Sequence, residues 1–288
     1  MRPSIRLGTL FGIPIGLHWS IVVIVGLVTF GLAGTILPQA AAGYASSLYY
    51  LTGLVISAAL LASIVAHELG HALVARRNGV GTRGISLFAL GGVAELESEA
   101  DNPGAAARIA AAGPAVSVAI GAAAMGLAGV AGFIGASPLA VVALTTLGFV
   151  NLVMAVFNMI PALPLDGGRV LQAALWQRRG DRESATVSAA GVGRFLGWSL
   201  VAFGLWQFLN GGAGLWTMVI GWFVVSSARA EELRARFRIR SRTWAPPQWH
   251  QRRPTGTVID VTARPVAPPT ATDPWSADPR PTEPQRVP

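Results

Sequence analysis

Residues 7–75 contain a single acidic or basic side chain, Glu68, leaving aside His18, His67 and His71. A stretch this long and this free of charge cannot form the surface of a water-soluble domain, which must face much of its chain to water. It can cross a bilayer, whose core takes about 20 apolar helical residues per span. The rest of the chain agrees, since 52% of its 288 residues are hydrophobic and only 12% are charged. Six apolar segments stand out, near 14–37, 49–75, 105–134, 138–160, 192–209 and 213–229, the last two shorter and interrupted by glycine. The expected fold is an all-α polytopic membrane protein with about six transmembrane helices.

Arginine placement tests that count independently. Arg2 and Arg6 precede the first segment, and Arg76, Arg77 and Arg83 follow the second. Arg108 opens the third, Arg178, Arg179 and Arg182 separate the fourth from the fifth, and a cluster from Arg229 to Arg242 follows the sixth. The loops near 38–48, 134–138 and 210–213 have none. With six spans every cluster falls on one side, so the positive-inside rule predicts a multi-pass protein of the cell membrane with both termini cytoplasmic. Arg2 and Arg6 ahead of an apolar run also resemble a secretory signal. The run from Ile13 to Leu37 is longer than a usual signal core, and a retained first helix is expected.

A net charge of +8 could suit nucleic acid, but these arginines lie between apolar segments and in the tail. They are read as topology determinants and membrane-surface contacts, with no nucleic-acid partner. The chain has no cysteine, which excludes disulfides, thiolate metal sites and a cysteine nucleophile.

Two connections are not ordinary loops. Residues 84–97, "GISLFALGGVAELE", alternate apolar residues around Gly91 and Gly92 and read as a short strand pair or re-entrant β-hairpin. Residues 161–169, "PALPLDGGR", break the helix with two prolines and two glycines. From about 243 the chain becomes proline-rich and aperiodic, as expected of a disordered cytosolic tail. The expected division is a membrane domain over 1–235 and a basic juxtamembrane segment with this tail over 236–288. The arginines of "RARFRIRSR" are expected to meet anionic lipid, or to act as a plain stop-transfer cluster.

An ionisable group near a bilayer centre costs on the order of 2.5–3.5 kcal/mol and is a functional candidate by default. His67 and His71 in "IVAHELGHAL" are four apart, so on a helix they project from one face and can share a metal ion. Glu68 beside them can take a proton from a water that the metal has acidified. HExxH on a soluble helix has an ordinary wet-face explanation, but inside a membrane helix that explanation fails. A catalytic zinc keeps three protein ligands. His250 lies in the tail, and His18, beside Trp19, reads more naturally as an interfacial residue. Asp166 fits better. The second and fourth segments both run outside to inside, and His71 lies five residues before Arg76, about 8 Å at helical rise, while Asp166 lies three before Arg169. An aspartate that merely caps the turn ahead of Gly167 and Gly168 is the plainer alternative.

"HELGH" together with "NMIPALPLDGGR" resembles the site-2 protease family of intramembrane zinc metalloproteases. "SIRLGTLFGIPIGLHWS", "LFALGGVAEL" and "AAGPAVS" (111–117) are similar to its six-span archaeal and bacterial members. The resemblance covers roughly residues 4–235. It implies one zinc ion per chain held by His67, His71 and Asp166, Glu68 as general base, and Asn158 positioning substrate or stabilising the oxyanion. The implied substrate is a transmembrane segment of a membrane-anchored regulator or a residual signal peptide. Gly91 and Gly92 belong to the hairpin expected to capture that segment once unwound. In a tail of about 45 residues the pair of CBS domains found in many relatives is not expected, and neither is a PDZ domain between the segments. Two rivals are a metal-binding transporter and a catalytically silent scaffold of the same fold. A transporter would spread acidic and histidine residues along several spans, and a scaffold has no use for Glu68.

Overall fold

The computed structural model describes residues 5–88 and 91–243, all within one compact unit of the chain. The expected disordered tail lies outside the described residues. The chain opens with strands β1 (Ile5–Leu10) and β2 (Ile13–Leu17), followed by helices α1 (Ser20–Ala40, with a π-turn over Leu32–Ile36) and α2 (Ser46–Arg77). Strands β3 (Thr82–Phe88) and β4 (Gly91–Leu96) come next. Helices α3 (Pro103–Phe133), α4 (Pro138–Asn158), α5 (Asp166–Arg179), α6 (Arg182–Leu209) and α7 (Gly214–Thr243) complete it.

Five of these helices, α1, α2, α3, α4 and α6, are long and apolar enough to cross a membrane. The sixth expected segment is the first half of α7, whose second half carries Glu231, Glu232 and a run of arginines. Local signals set the helix starts. Asn102 accepts a hydrogen bond from the Ala105 amide at 2.8 Å with Pro103 in the first turn, and Asp181 accepts from Ser184 at 2.8 Å. Gly180 closes α5 in the left-handed conformation (φ 73°).

The sequence predicts helix from about residue 14, whereas the first helix begins at Ser20. Residues 5–17 form a β-hairpin, turned through Phe11 (φ 51°) and Gly12 (φ 80°). Ile13 and Ile15 are buried while Pro14 between them is exposed, the period-two pattern of a strand with one covered face. The pairing is long-range: β2 runs parallel to β3, with Ile15 opposite Ile85 and Leu17 opposite Leu87. The expected hairpin over 84–97 is present as β3 and β4, with Phe88 opposite Gly91, inside a four-stranded sheet ordered β1-β2-β3-β4.

This sheet packs on one face of α2, where Leu69 and Ala72 meet Ile13, Ile15, Ile85 and Leu87. The opposite face of α2 packs on α3 so closely that a Cβ on Gly70 would come within 2.9 Å of Val116. The HExxH turn is therefore held on both sides by packed apolar surface. His18 donates its backbone amide to the Leu87 carbonyl (2.8 Å), and its ring contacts Ser20 and Trp19. That joins the start of α1 to the sheet.

At the charged end, Arg238 of α7 contacts Glu99 (2.8 Å) and the buried Glu183 (3.1 Å), and Arg182 contacts Glu99 (2.8 Å). Burial works against the Arg238 charge, but Glu99 and Glu183 outweigh it and hold its pKa above the usual arginine value. Arg194 and Arg236 both reach Glu232. Part of the basic segment expected to face lipid thus ties α7 to α6 and to the linker after the hairpin.

Candidate metal centre

α2 is 32 residues long, about 48 Å at helical rise and longer than a bilayer core, and it places His67, Glu68 and His71 in its last third. α4 ends at Asn158, and the chain turns through Pro161 and Pro164 before α5 starts at Asp166. Gly167 and Gly168 lie directly on the backbone of residues 159–163, where any Cβ would collide with Met159 or Ala162 and Leu163. That close approach folds the turn tightly and aims Asp166, in the first turn of α5, back toward α2.

The three expected ligands meet. His67 Nε2 lies 3.2 Å from Asp166 Oδ2, His71 Nε2 lies 3.3 Å from the same oxygen, and the two imidazole nitrogens are 3.2 Å apart. Tetrahedral zinc with ligands at about 2.0–2.1 Å separates neighbouring ligand atoms by about 3.3 Å. The nearly equilateral triangle is the spacing of three zinc ligands, and these contacts are read as coordination edges rather than as salt bridges.

The surroundings orient the donors. His71 Nδ1 lies 2.7 Å from the Ile109 carbonyl, which can only accept, so the neutral ring carries its proton there and turns the Nε2 lone pair to the triangle. His67 Nδ1 lies 2.8 Å from the hydroxyl of Ser117, itself fully buried. Two imidazole lone pairs and a carboxylate oxygen at this spacing repel one another unless a cation lies among them. The residues fit a zinc ion.

Glu68 points to the sheet side. Gly92 of β4 covers it, and a Cβ there would come within 2.5 Å of Glu68 Cγ. Of the two glycines expected to bind substrate, Gly92 lies against Glu68, and Gly91 (φ 133°) starts the same strand with nothing within 4 Å of a Cβ built on it. β4 ends the sheet order, and its outer edge has no strand partner among the described residues. Asn158 is the last residue of α4, half-buried, at the start of the turn leading to Asp166.

Sequence reasoning missed the α3 residues behind the imidazoles. Ile109 and Ser117 orient the rings, and Gly113 lies so close that a Cβ would collide with His71 Nε2 and come within 2.6 Å of His67 Nε2. The signal was the Gly-Pro pair inside an apolar helix in "AAGPAVS", a pair that helix propensity disfavours and close packing explains. Gly113→Ala is expected to displace both rings and to lower zinc content more than about tenfold. Metal analysis of the purified variant checks this, with circular dichroism showing that the helices remain.

The chain matches the family model described as Peptidase family M50 over residues 55–140 and 130–200. It is 45% identical over 241 residues to a homologue named zinc metalloprotease Rip3 from Mycobacterium tuberculosis, covering 81% of this chain and 60% of that protein. A homologue named zinc metalloprotease sll0528, from Synechocystis, is 40% identical over 232 residues, covering 79% and 59%. The chain thus spans about three-fifths of the length of these curated relatives. Among solved structures, the site-2 protease from Methanocaldococcus jannaschii superposes with a TM-score of 0.55 at 32% identity, covering 79% of this chain and 94% of that one.

Proposed function

The chain belongs to peptidase family M50, and from that premise we propose that it is a zinc metalloprotease cutting a transmembrane segment of a membrane-anchored regulator, or a residual signal peptide. Its apolar helices and the family make it a multi-pass membrane protein. The observation that carries the reading is the triangle of His67, His71 and Asp166 with Glu68 at its edge. We assign those three as the ligands of one zinc ion and Glu68 as the general base.

A bound zinc ion supplies Lewis acidity, which acidifies water and polarises a substrate carbonyl. Glu68 takes the proton of the attacking water on its carboxylate and delivers it to the leaving amide nitrogen. His71 and His67 keep their Nε2 lone pairs directed inward because Ile109 and Ser117 engage Nδ1. Asn158, at the start of the turn leading to Asp166, is assigned to substrate positioning or to the oxyanion.

A transmembrane helix hides its peptide groups in its own hydrogen bonds, so the substrate must unwind before it is cut. The outer edge of β4 offers backbone partners for the unwound segment, next to Glu68. The broken backbone between α4 and α5 provides water a route from the cytosolic side. The arginine clusters support a cell-membrane protein with cytoplasmic termini, and the α7 arginines outside the ion pairs are assigned to anionic lipid. Incubating the purified chain in vesicles with a single-span reporter, and looking for a cut within the reporter's apolar segment, tests the proposal.

A further inference from the structure

The arginine-bearing ends of α2 and α3 meet in an open cleft of about 580 Å³ that is lined by no acidic residue. Its polar mouth carries Arg77, the last residue of α2, and Arg108, on the second turn of α3. Its apolar wall is made of Val74, Ala111, Ala112 and Ala115. Asn78 fixes the mouth: its amide donates to the Val74 carbonyl at 2.7 Å, and its oxygen accepts from Arg108 at 2.6 Å.

The positive charge in this cleft is not neutralised as it is at several arginines of α6 and α7. Arg182, Arg194, Arg234, Arg236 and Arg238 each have a carboxylate within salt-bridge distance. Among the described residues, Arg77 and Arg108 have none. Two exposed guanidiniums around a concave mouth, above a strip of small apolar residues, match a phosphate on a hydrocarbon chain. The phosphate meets the two arginines, and the small side chains leave room for the first methylenes of an acyl chain.

We propose that this cleft binds the headgroup of an anionic phospholipid, a site separate from the basic stretch of α7. The lipid would join the ends of the two helices that build the metal centre. Arg108 adjoins Ile109, whose carbonyl orients His71, and Ala112 adjoins Gly113 behind both imidazoles. The α2–α3 contact here is already close, because Gly70 packs against Ala112 and Val116.

The test uses the full chain in vesicles containing photoreactive phosphatidylglycerol, with adducts mapped by mass spectrometry. Adducts are expected on 74–78 and 108–115, reduced about tenfold in Arg77→Gln/Arg108→Gln while adducts on 234–242 persist. Ala115→Phe keeps both charges and fills the wall, and it is expected to reduce the same adducts. Equal labelling by photoreactive phosphatidylcholine would overturn the proposal, as would labelling unchanged in both variants. Competition by inorganic phosphate would also overturn it, because the site would then take a free anion. The readout is lipid attachment, so it stands or falls independently of peptide-bond cleavage. If the reporter is never cut yet the adducts behave as stated, the protease reading fails and this site remains.

Discussion

Glu68→Gln is expected to lower cleavage of a transmembrane reporter by about 10²–10⁴-fold, the contribution typical of a positioned general base, while zinc stays bound. Gln preserves the size of the side chain under Gly92, where space is tight. It cannot accept the proton of the attacking water. Glu68 is also outside the ligand triangle of His67, His71 and Asp166, so the metal content should be that of the wild type. Cleavage and zinc must be measured on the same preparation. A variant that keeps zinc and loses cleavage isolates proton transfer as the missing step. A variant that still cuts at the wild-type rate would remove Glu68 from the mechanism.

Asp166→Ala is expected to act earlier, on the metal. It deletes the oxygen that lies 3.2 Å and 3.3 Å from the two imidazole nitrogens and leaves two ligands on one helix turn. Changes to residues that merely orient ligands cost about 10–100-fold in metal affinity, and loss of a ligand itself should exceed that. Zinc per chain, measured after dialysis against a weak chelator, should fall from about one to a small fraction. Cleavage should fall with it. The helices do not depend on this carboxylate, since the turn around Asp166 is set by Gly167 and Gly168 on the 159–163 backbone. Circular dichroism of the variant should match that of the wild type.

Much of this site was legible in the sequence because its parts obey local rules. His67 and His71 share a helix face by spacing alone, and the lack of other charge in residues 7–75 makes Glu68 conspicuous. Asp166 required one further step, from arginine clusters to helix direction to depth, and the turn places it where that step leads. The β3–β4 hairpin showed itself by alternation around Gly91 and Gly92. The N-terminal hairpin did not, because Ile13 onward reads as the start of an apolar helix. Only pairing with β3, some 70 residues away in sequence, makes residues 13–17 a strand. Ile109, Gly113 and Ser117 were hidden for a similar reason. A carbonyl, a missing side chain and one hydroxyl acquire meaning only when α3 lies against α2. The α7 arginines carried a sequence signal for lipid, and the carboxylates that engage Arg238 come from distant parts of the chain.

The most direct measurement is the position of the cut. The purified chain, in vesicles with a single-span reporter whose apolar segment is about 20 residues long, should yield two fragments. Mass spectrometry should place the new ends inside that apolar segment, with no product from Glu68→Gln. A cut confined to the reporter's water-exposed flanks would contradict intramembrane proteolysis, as would fragments that Glu68→Gln yields equally well.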